Sequence, residues 1–364
     1  MPSPARTTQN ARPNSLGQEA KQDMSFQKRW LPILLGGLFV VAMVWASVAL
    51  SMPEVLFPET TAILCGAWIQ PRQAWNVSRP RMLALMGAGA VFGLGANLLL
   101  PWMPLAARAT LGYAFCALAM NVAGADMTPM LSAAILPMLL GTDSFVYPIV
   151  VVSLVVLVEL GQVALERVGL REPIEYHPFR PPWRQVLRSW GRKLAVFMLT
   201  ACPAYAASAP FLAVPPLLVA YTELTRPDFS LRLRPWRAWA ALAIAAVIGC
   251  AGRDAVEILE LPSPLVVAVA YACLVLAWDG LRTWLPPAGA VVLLAFLVPW
   301  QGPWLYAVEV AAGGAVWVAA AIALFPGLRP SMLANATGAA RDAASHAGSD
   351  ATLDAAVAQE AQGA

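Results

Sequence analysis

Charge is scarce in this chain. Asp, Glu, Lys and Arg together make up 12% of its 364 residues, whereas hydrophobic residues make up 59%. A soluble domain carries about 25% charge and about 45–50% apolar residues, so a soluble globular enzyme, a coiled coil and a disordered chain are excluded. Histidine is scarcer still: the two present, His177 and His346, both fall outside the long apolar runs. That rules out an intramembrane histidine relay, a histidine-ligated haem and a histidine zinc site. The five cysteines (Cys65, Cys116, Cys202, Cys250, Cys273) lie singly inside apolar runs, without a CxxC pair. They read as small buried hydrophobes, neither a disulfide framework nor a metal centre. No HExxH, P-loop or GxSxG pattern occurs, so no catalytic residue, metal ligand or cofactor is expected and the chain does not read as an enzyme.

What the sequence does have is apolar stretches of membrane length. A helix crossing about 30 Å of hydrocarbon needs about 20 residues. Eight stretches approach that length: Leu31–Leu50, Met82–Leu100, Leu105–Gly124, Ser144–Val163, Leu194–Leu212, Ala238–Gly252, Pro264–Gly280 and Pro303–Phe325. Four pieces between them have only 11–14 residues: Phe57–Ile69, Met127–Leu140, Val214–Leu224 and Leu285–Val298. At 1.5 Å per residue these reach about 17–21 Å and cannot cross unaided. Each starts at or near proline (Pro58, Pro129, Pro215–Pro216, Pro286–Pro287), a residue that fits the first turn of a helix and breaks its interior. They are expected to be half-helices or re-entrant segments with ends at membrane depth.

Charge placement gives a topology. If all twelve pieces alternate direction, 22 of the 24 Lys and Arg residues fall on one side, and only Arg108 and Arg253 lie opposite. Basic residues stay cytoplasmic, so both termini are expected inside a multi-pass protein of a bacterial-type inner (plasma) membrane. Residues 1–30 read as a disordered cytoplasmic tail, 164–193 as a basic cytoplasmic linker and 326–364 as a flexible Ala-rich tail. In the linker, Arg180, Arg184, Arg188, Arg192 and Lys193 fit either an anionic-lipid contact or ordinary inside-loop charge. Because the basic residues follow topology, nothing marks nucleic-acid binding. The fourteen tryptophans, such as Trp30, Trp102, Trp300 and Trp304, suit an interfacial belt. The expected partners are the lipid bilayer and a small solute, with a homo-oligomer left open.

The order of long and short pieces repeats, and residues agree at an offset of about 155–158 positions. Met127-Thr128-Pro129 answers Leu285-Pro286-Pro287, and Ala119-Met120-Asn121 answers Ala277-Trp278-Asp279. The expected fold is therefore an all-α integral membrane protein of two parallel repeats, residues 31–163 and 194–325. Each repeat has four long helices plus two short or re-entrant half-helices. Internal repeats with broken helices at their interface are a hallmark of secondary transporters.

The run Leu285-Pro286-Pro287-Ala288-Gly289-Ala290, after an apolar helix ending in Ala277-Trp278-Asp279, resembles the signature of the HPP transmembrane family. That signature is His-Pro-Pro followed by Ala/Gly-Gly-Ala-Thr-Ala, set before the last of four membrane-spanning helices. In the family an earlier small-residue segment leads into a Pro-Arg-Asn loop, and here Thr61–Gly66 and Pro71-Arg72…Asn76 sit in those places. Each half resembles one such module. The signature histidine is absent from both: Leu285 takes its place in the second half, and Met127 or Thr128 in the first. The resemblance implies a transporter, nitrite transport having been proposed for some members.

Polar residues at membrane depth are functional candidates by default. Here they are Glu59, Thr60, Thr61, Asn121, Thr128, Glu223 and Asp279, and the half-helix starts Pro129, Pro286 and Pro287 join them as candidate lining of a transport path. A half-helix start leaves backbone N–H groups unpaired at a positive dipole end, where an anion can bind. Glu59, Glu223 and Asp279 are the candidate coupling carboxylates, since partly buried carboxylates can exchange protons. Quieter readings stand beside these. Thr128 also fits a helix N-cap; Asn121 and Asp279 fit structural ties to the backbone near Met127 and Trp284; Glu59 fits an outer-surface carboxylate. The expected function is a permease for a small solute, for example an inorganic anion such as nitrite. The alternative is a non-transporting membrane scaffold or partner subunit.

Overall fold

Apolar runs and prolines set the helix boundaries. The computed structural model describes residues 15–70, 73–227, 229–298 and 303–325. Residues 1–14, Pro71 and Arg72 of the family-like loop, and the tail from 326 lie outside them. The helices are α1 (Ser15–Leu50), α2 (Glu59–Leu64), α3 (Arg79–Leu99), α4 (Leu105–Ala123), α5 (Met130–Leu140), α6 (Val146–Arg167), α7 (Trp183–Ala206), α8 (Pro215–Leu224), α9 (Pro235–Glu257), α10 (Ser263–Leu281), α11 (Pro286–Leu294) and α12 (Pro303–Leu324). No strand occurs among the described residues. Among the described residues, seven helices are long and apolar enough to cross a membrane: α1 from Phe26, α3, α4, α6, α9, α10 and α12 from Trp304. That is the make-up of a multi-pass, all-helical membrane protein.

Two expectations need correction. The eighth expected span, Leu194–Leu212, lies in a helix that starts earlier, at Trp183, and carries Arg184, Arg188, Arg192 and Lys193 in its first half. That charge keeps α7 out of the apolar seven. The polar N-terminal stretch is also not all irregular, because α1 is already helical from Ser15. Its Gln, Glu, Ala and Lys residues are good helix formers and extend a helix that the apolar segment has nucleated. Three cysteines are buried as expected (Cys65, Cys116, Cys250), while Cys202 is half-buried and Cys273 is exposed.

The four short helices form the centre. Every residue of α2, α8 and α11 is buried, as is α5 from Met130 to Met138. Having no outward face, they need no amphipathic pattern, which is why they read as uniformly apolar. Around them α3 packs on α5 and α6, and α9 packs on α11 and α12. Helix α1 lies against α10, α7 against α4, α2 against α11, and α8 against α5.

Glycine permits the tightest of these contacts. A Cβ on Gly93 would stand 2.3 Å from the Ala134 carbonyl oxygen, and one on Gly249 would stand 2.7 Å from that of Val292. Along α3, Gly89 faces Met130 and Gly93 faces Ala134, while Asn97 Nδ2 donates to the Pro137 carbonyl at 2.7 Å. Helices α3 and α5 therefore run the same way. Since Gly89 is ten residues along α3 from Arg79, α5 starts about 15 Å up that helix rather than at its end.

Ion pairs and hydrogen bonds gather the basic segments at one end of the bundle. Arg29 pairs with Asp279, Arg79 with Glu166 and, at 3.3 Å, Glu159, and Arg226 with Asp126 at 2.8 Å. The linker is laid across this basic end. Tyr176 donates to the Gly124 carbonyl at 2.9 Å, and Asn76 brackets the His177 backbone, donating to its carbonyl at 2.6 Å and accepting from its N–H at 3.0 Å. Lys193, expected to face lipid or water, is buried.

Two arginines, Arg171 of the linker and Arg232 of the loop between α8 and α9, cap the short helices. Arg171 is buried and donates to the carbonyls of Gln70 (2.6 Å) and Gly66 (3.3 Å), the last groups of the helical stretch that runs from α2 through a π-turn at Cys65–Ile69. Arg232 donates to the Leu224 carbonyl at the end of α8 and to that of Phe325. A cation at a helix C-terminus satisfies carbonyls with no intrahelical partner and suits the negative dipole end. Burial lowers Arg171 below the usual guanidinium range, to about 10, so it remains charged at neutral pH. Arg171→Ala should destabilise the purified protein by about 1–3 kcal/mol by stranding the Gln70 carbonyl, that of Gly66 keeping its bond from the Ala74 N–H; the shift of a thermal unfolding curve in detergent measures it.

Candidate functional site

Helix α8 ends at the basic end of the bundle, and its last turn carries Glu223. Glu223 is 3% exposed. Its Oε1 accepts two hydrogen bonds of 2.8 Å, from the Trp75 indole Nε1 and from the Thr128 hydroxyl. Thr128 precedes Pro129 at the start of α5. Its hydroxyl is spent on Glu223, so it is not the N-cap that its position allowed. The carboxylate of α8 thus faces the positive dipole end of α5, a favourable arrangement. Gly66 makes room for Trp75: a Cβ there would stand 2.5 Å from Cη2 of the indole. The ring is wedged between the end of the α2 stretch and Glu223. One residue back, the Thr222 hydroxyl bonds the Tyr113 hydroxyl of α4 at 2.9 Å.

A cavity of about 360 Å³ adjoins this cluster, lined by Asn76, Asn121, Thr128, Lys193, Thr222 and Arg226 among others. Arg226 is paired with Asp126. Lys193 takes no ion-pair partner among the described residues; its ammonium lies 4.3 Å above the Trp190 ring, a cation–π contact. The cavity therefore combines a buried cation, amide and hydroxyl groups, and a carboxyl held just behind Thr128.

Glu59 forms a second cluster. Expected as an outer-surface carboxylate, it is instead 1% exposed at the first position of α2. Among the described residues neither carboxyl oxygen accepts a hydrogen bond of good geometry, although the Ser132 hydroxyl lies beside it, and the buried hydroxyls of Thr60 and Thr61 are likewise without a partner. Ser132 of α5, Tyr147 of α6 and Tyr306 of α12 lie within electrostatic reach of Glu59. Both tyrosine hydroxyls are committed elsewhere, Tyr147 to the Ala133 carbonyl (2.9 Å) and Tyr306 to that of Val291 (2.8 Å). Burying an ionised carboxylate without partners costs several kcal/mol. Unsatisfied buried polar groups are rare in folded proteins, and here four of them stand close together.

The other expected site residues are dispersed. Asp279 is 51% exposed and pairs with Arg29, so it is a surface ion pair and not a carboxylate in the interior. Asn121 donates to Ala117 of its own helix at 2.7 Å and meets the site only as a wall of the cavity. Thr61 packs its methyl on Gly289 of α11, where an added Cβ would stand 2.7 Å away. Pro286 and Pro287 open α11 and are fully enclosed.

The bare N–H groups expected at the short-helix starts are also absent. Thr60 and Thr61 donate to the carbonyls of Phe57 and Pro58, Met130 and Leu131 to those of Met127 and Thr128, and Leu217 to that of Val214. Bonds of the i→i−3 kind tighten the first turn, and the paired prolines have no N–H to offer. No anion cradle of backbone amides is left at these positions. Trp75, Gly66, Ser132 and the burial of Lys193 were not foreseen. A tryptophan in the short loop beside Asn76 was the one visible signal among them.

Asp279→Asn should leave stability within about 1 kcal/mol of the wild type, since exposed ion pairs contribute little. Thermal unfolding in detergent checks this, and a larger loss would show the Arg29 contact to be structural. Comparison with protein-family models, with characterised proteins and with solved structures finds no match to this chain.

Proposed function

We propose that this protein is a multi-pass membrane transporter for a small solute, with its site where the short helices meet. The observation that carries this reading is Glu223, a buried carboxyl held by Trp75 and Thr128 from two other segments, directly behind a polar cavity at the basic end. Such an intramembrane ionisable residue is a functional site by default. In this reading the basic end is cytoplasmic in an inner membrane, and the solute enters the 360 Å³ cavity. Lys193 favours an inorganic anion such as nitrite, held against Asn121. Glu223 exchanges the coupling proton, and Glu59 serves as the proton site toward the opposite end.

We further read the two halves as parallel repeats, each an HPP-like module. In support, packing partners exchange between halves: α1 on α10 answers α7 on α4, and α2 on α11 answers α8 on α5. Left-handed residues recur 157 and 158 positions apart, Ser51 with Ser208 and Gly124 with Arg282. The Tyr147 and Tyr306 hydrogen bonds answer each other, as do the close approaches at Gly93 and Gly249. Alternating access by rocking of one half against the other is the mechanism that repeat transporters share.

The scaffold reading is favoured by one observation, the closure of the short-helix N-termini by local hydrogen bonds and proline. A flux panel in proteoliposomes decides between them, with nitrite, nitrate, formate, sulfate and small organic anions under an imposed proton gradient. Gradient-driven uptake of one of them is expected. No flux for any solute, with a stable partner protein co-purifying, would favour the scaffold.

A further inference from the structure

A second cavity, of about 580 Å³, lies away from Glu223, between α1, the end of the α2 stretch and the linker. Its volume falls in the range of ligand sites, about 300–1,000 Å³. One wall is basic: Lys28 and Arg29 of α1, with Arg171 of the linker. The other is apolar and aromatic: Ile33, Trp68 and Trp284. Arg29 is shared with Asp279 and Arg171 caps backbone carbonyls, whereas Lys28 takes no ion-pair partner among the described residues. Among the described residues Glu172 is the one carboxylate on the lining. It has a partner of its own.

The position matters as much as the chemistry. Lys28 and Arg29 stand in the first turn of the span of α1 that opens at Phe26, just before Trp30, where a membrane helix meets headgroups and where Lys, Arg and Trp anchor it. A cleft basic on its headgroup side and apolar below matches a phospholipid, phosphate against cations and glycerol and acyl carbons against indole and isoleucine. A soluble anion would have no use for the apolar wall.

We infer that this cleft is a binding site for one anionic phospholipid, its phosphate held by Lys28 and Arg29 and its upper acyl chain against Trp68 and Ile33. Because Arg171 both lines the cleft and caps the helix that carries Glu59, a bound lipid also steadies the linker across the basic end. The inference does not depend on transport.

The test is lipid retention by the purified full-length protein, read by native mass spectrometry after exchange into detergent with phosphatidylglycerol and phosphatidylcholine in competition. One phosphatidylglycerol is expected to stay bound in preference to phosphatidylcholine. Lys28→Glu, at an exposed side chain that the fold does not need, should weaken retention about 25-fold, taking about fivefold per unit of charge at the interface. Leu170→Trp, which fills the cleft without changing charge, should also displace the lipid. Equal retention of the two lipids, or indifference to Lys28→Glu, would overturn the site. Competition by free glycerol phosphate as effective as by the intact lipid would overturn the lipid assignment.

Discussion

Proton-driven uptake by the Glu223→Gln variant should fall to the level of protein-free vesicles while the protein stays folded. Glutamine keeps the volume of the side chain and an oxygen that can accept from the Trp75 indole and the Thr128 hydroxyl, both at 2.8 Å in the wild type. The structural cost is therefore the difference between charge-assisted and neutral hydrogen bonds, about 1 kcal/mol. What glutamine cannot do is take up and release a proton. The rate profile across pH should become flat, and solute exchange without a gradient should persist. Glu223→Asp gives the graded control: it restores the proton but, one methylene shorter, cannot hold both donors, so partial uptake is expected. Wild-type uptake by Glu223→Gln would remove the residue from the mechanism and with it the main support for a transporter. Loss of uptake in Asp279→Asn, whose side chain is an exposed partner of Arg29, would point the coupling elsewhere.

The second large effect is structural. Gly93→Ala places a methyl 2.3 Å from the Ala134 carbonyl oxygen and 2.6 Å from Cγ of Pro137. The obstacle is the backbone of a buried helix, not the tip of a flexible chain, so α3 and α5 must separate. Overpacking of this kind costs typically 1–3 kcal/mol and occasionally more; the backbone contact puts this variant near about 3 kcal/mol. Gly95→Ala is the matched control. Two residues away on the same helix, it meets nothing within 4 Å and should be neutral or slightly stabilising, since alanine favours a helix over glycine by up to about 1 kcal/mol. Parallel thermal melts in one detergent read the difference. Equal melting of the two variants would mean that α3 and α5 do not approach at Gly93. Because α5 begins beside Thr128, the Gly93 variant should also lose uptake before it loses its helical content.

The proline-started pieces were legible because their cause is local. Pro58, Pro129, Pro215 and Pro286 each stand at or just before a short helix, and those helices came out at 6, 11, 10 and 9 residues. Membrane-length helices were legible for the same reason, apart from α7, where four basic residues in the first half outweighed the apolar second half. The candidate site was legible only in part. Glu59 and Asp279 both sit at the edge of an apolar run, and nothing in their neighbours along the chain separates them. Glu59 is sealed within α2, which packs on α11, α6 and α1, whereas Asp279 projects beside α1 and meets Arg29. Position along a helix gives depth; it does not say which helix stands opposite.

Trp75 makes the same point from the other direction. Its loop is polar and basic, yet the ring is 2% exposed, because the chain turns back beneath Gly66, the second residue of the π-turn. Composition and the spacing of apolar residues were enough to establish a helical membrane protein with four stunted central helices, since transfer free energy and proline geometry act residue by residue. Which carboxyls became a site was decided by packing. Trp75 and Thr128 reach Glu223 across 148 and 95 positions of chain, and contacts of that range exist only once the helices have been brought together.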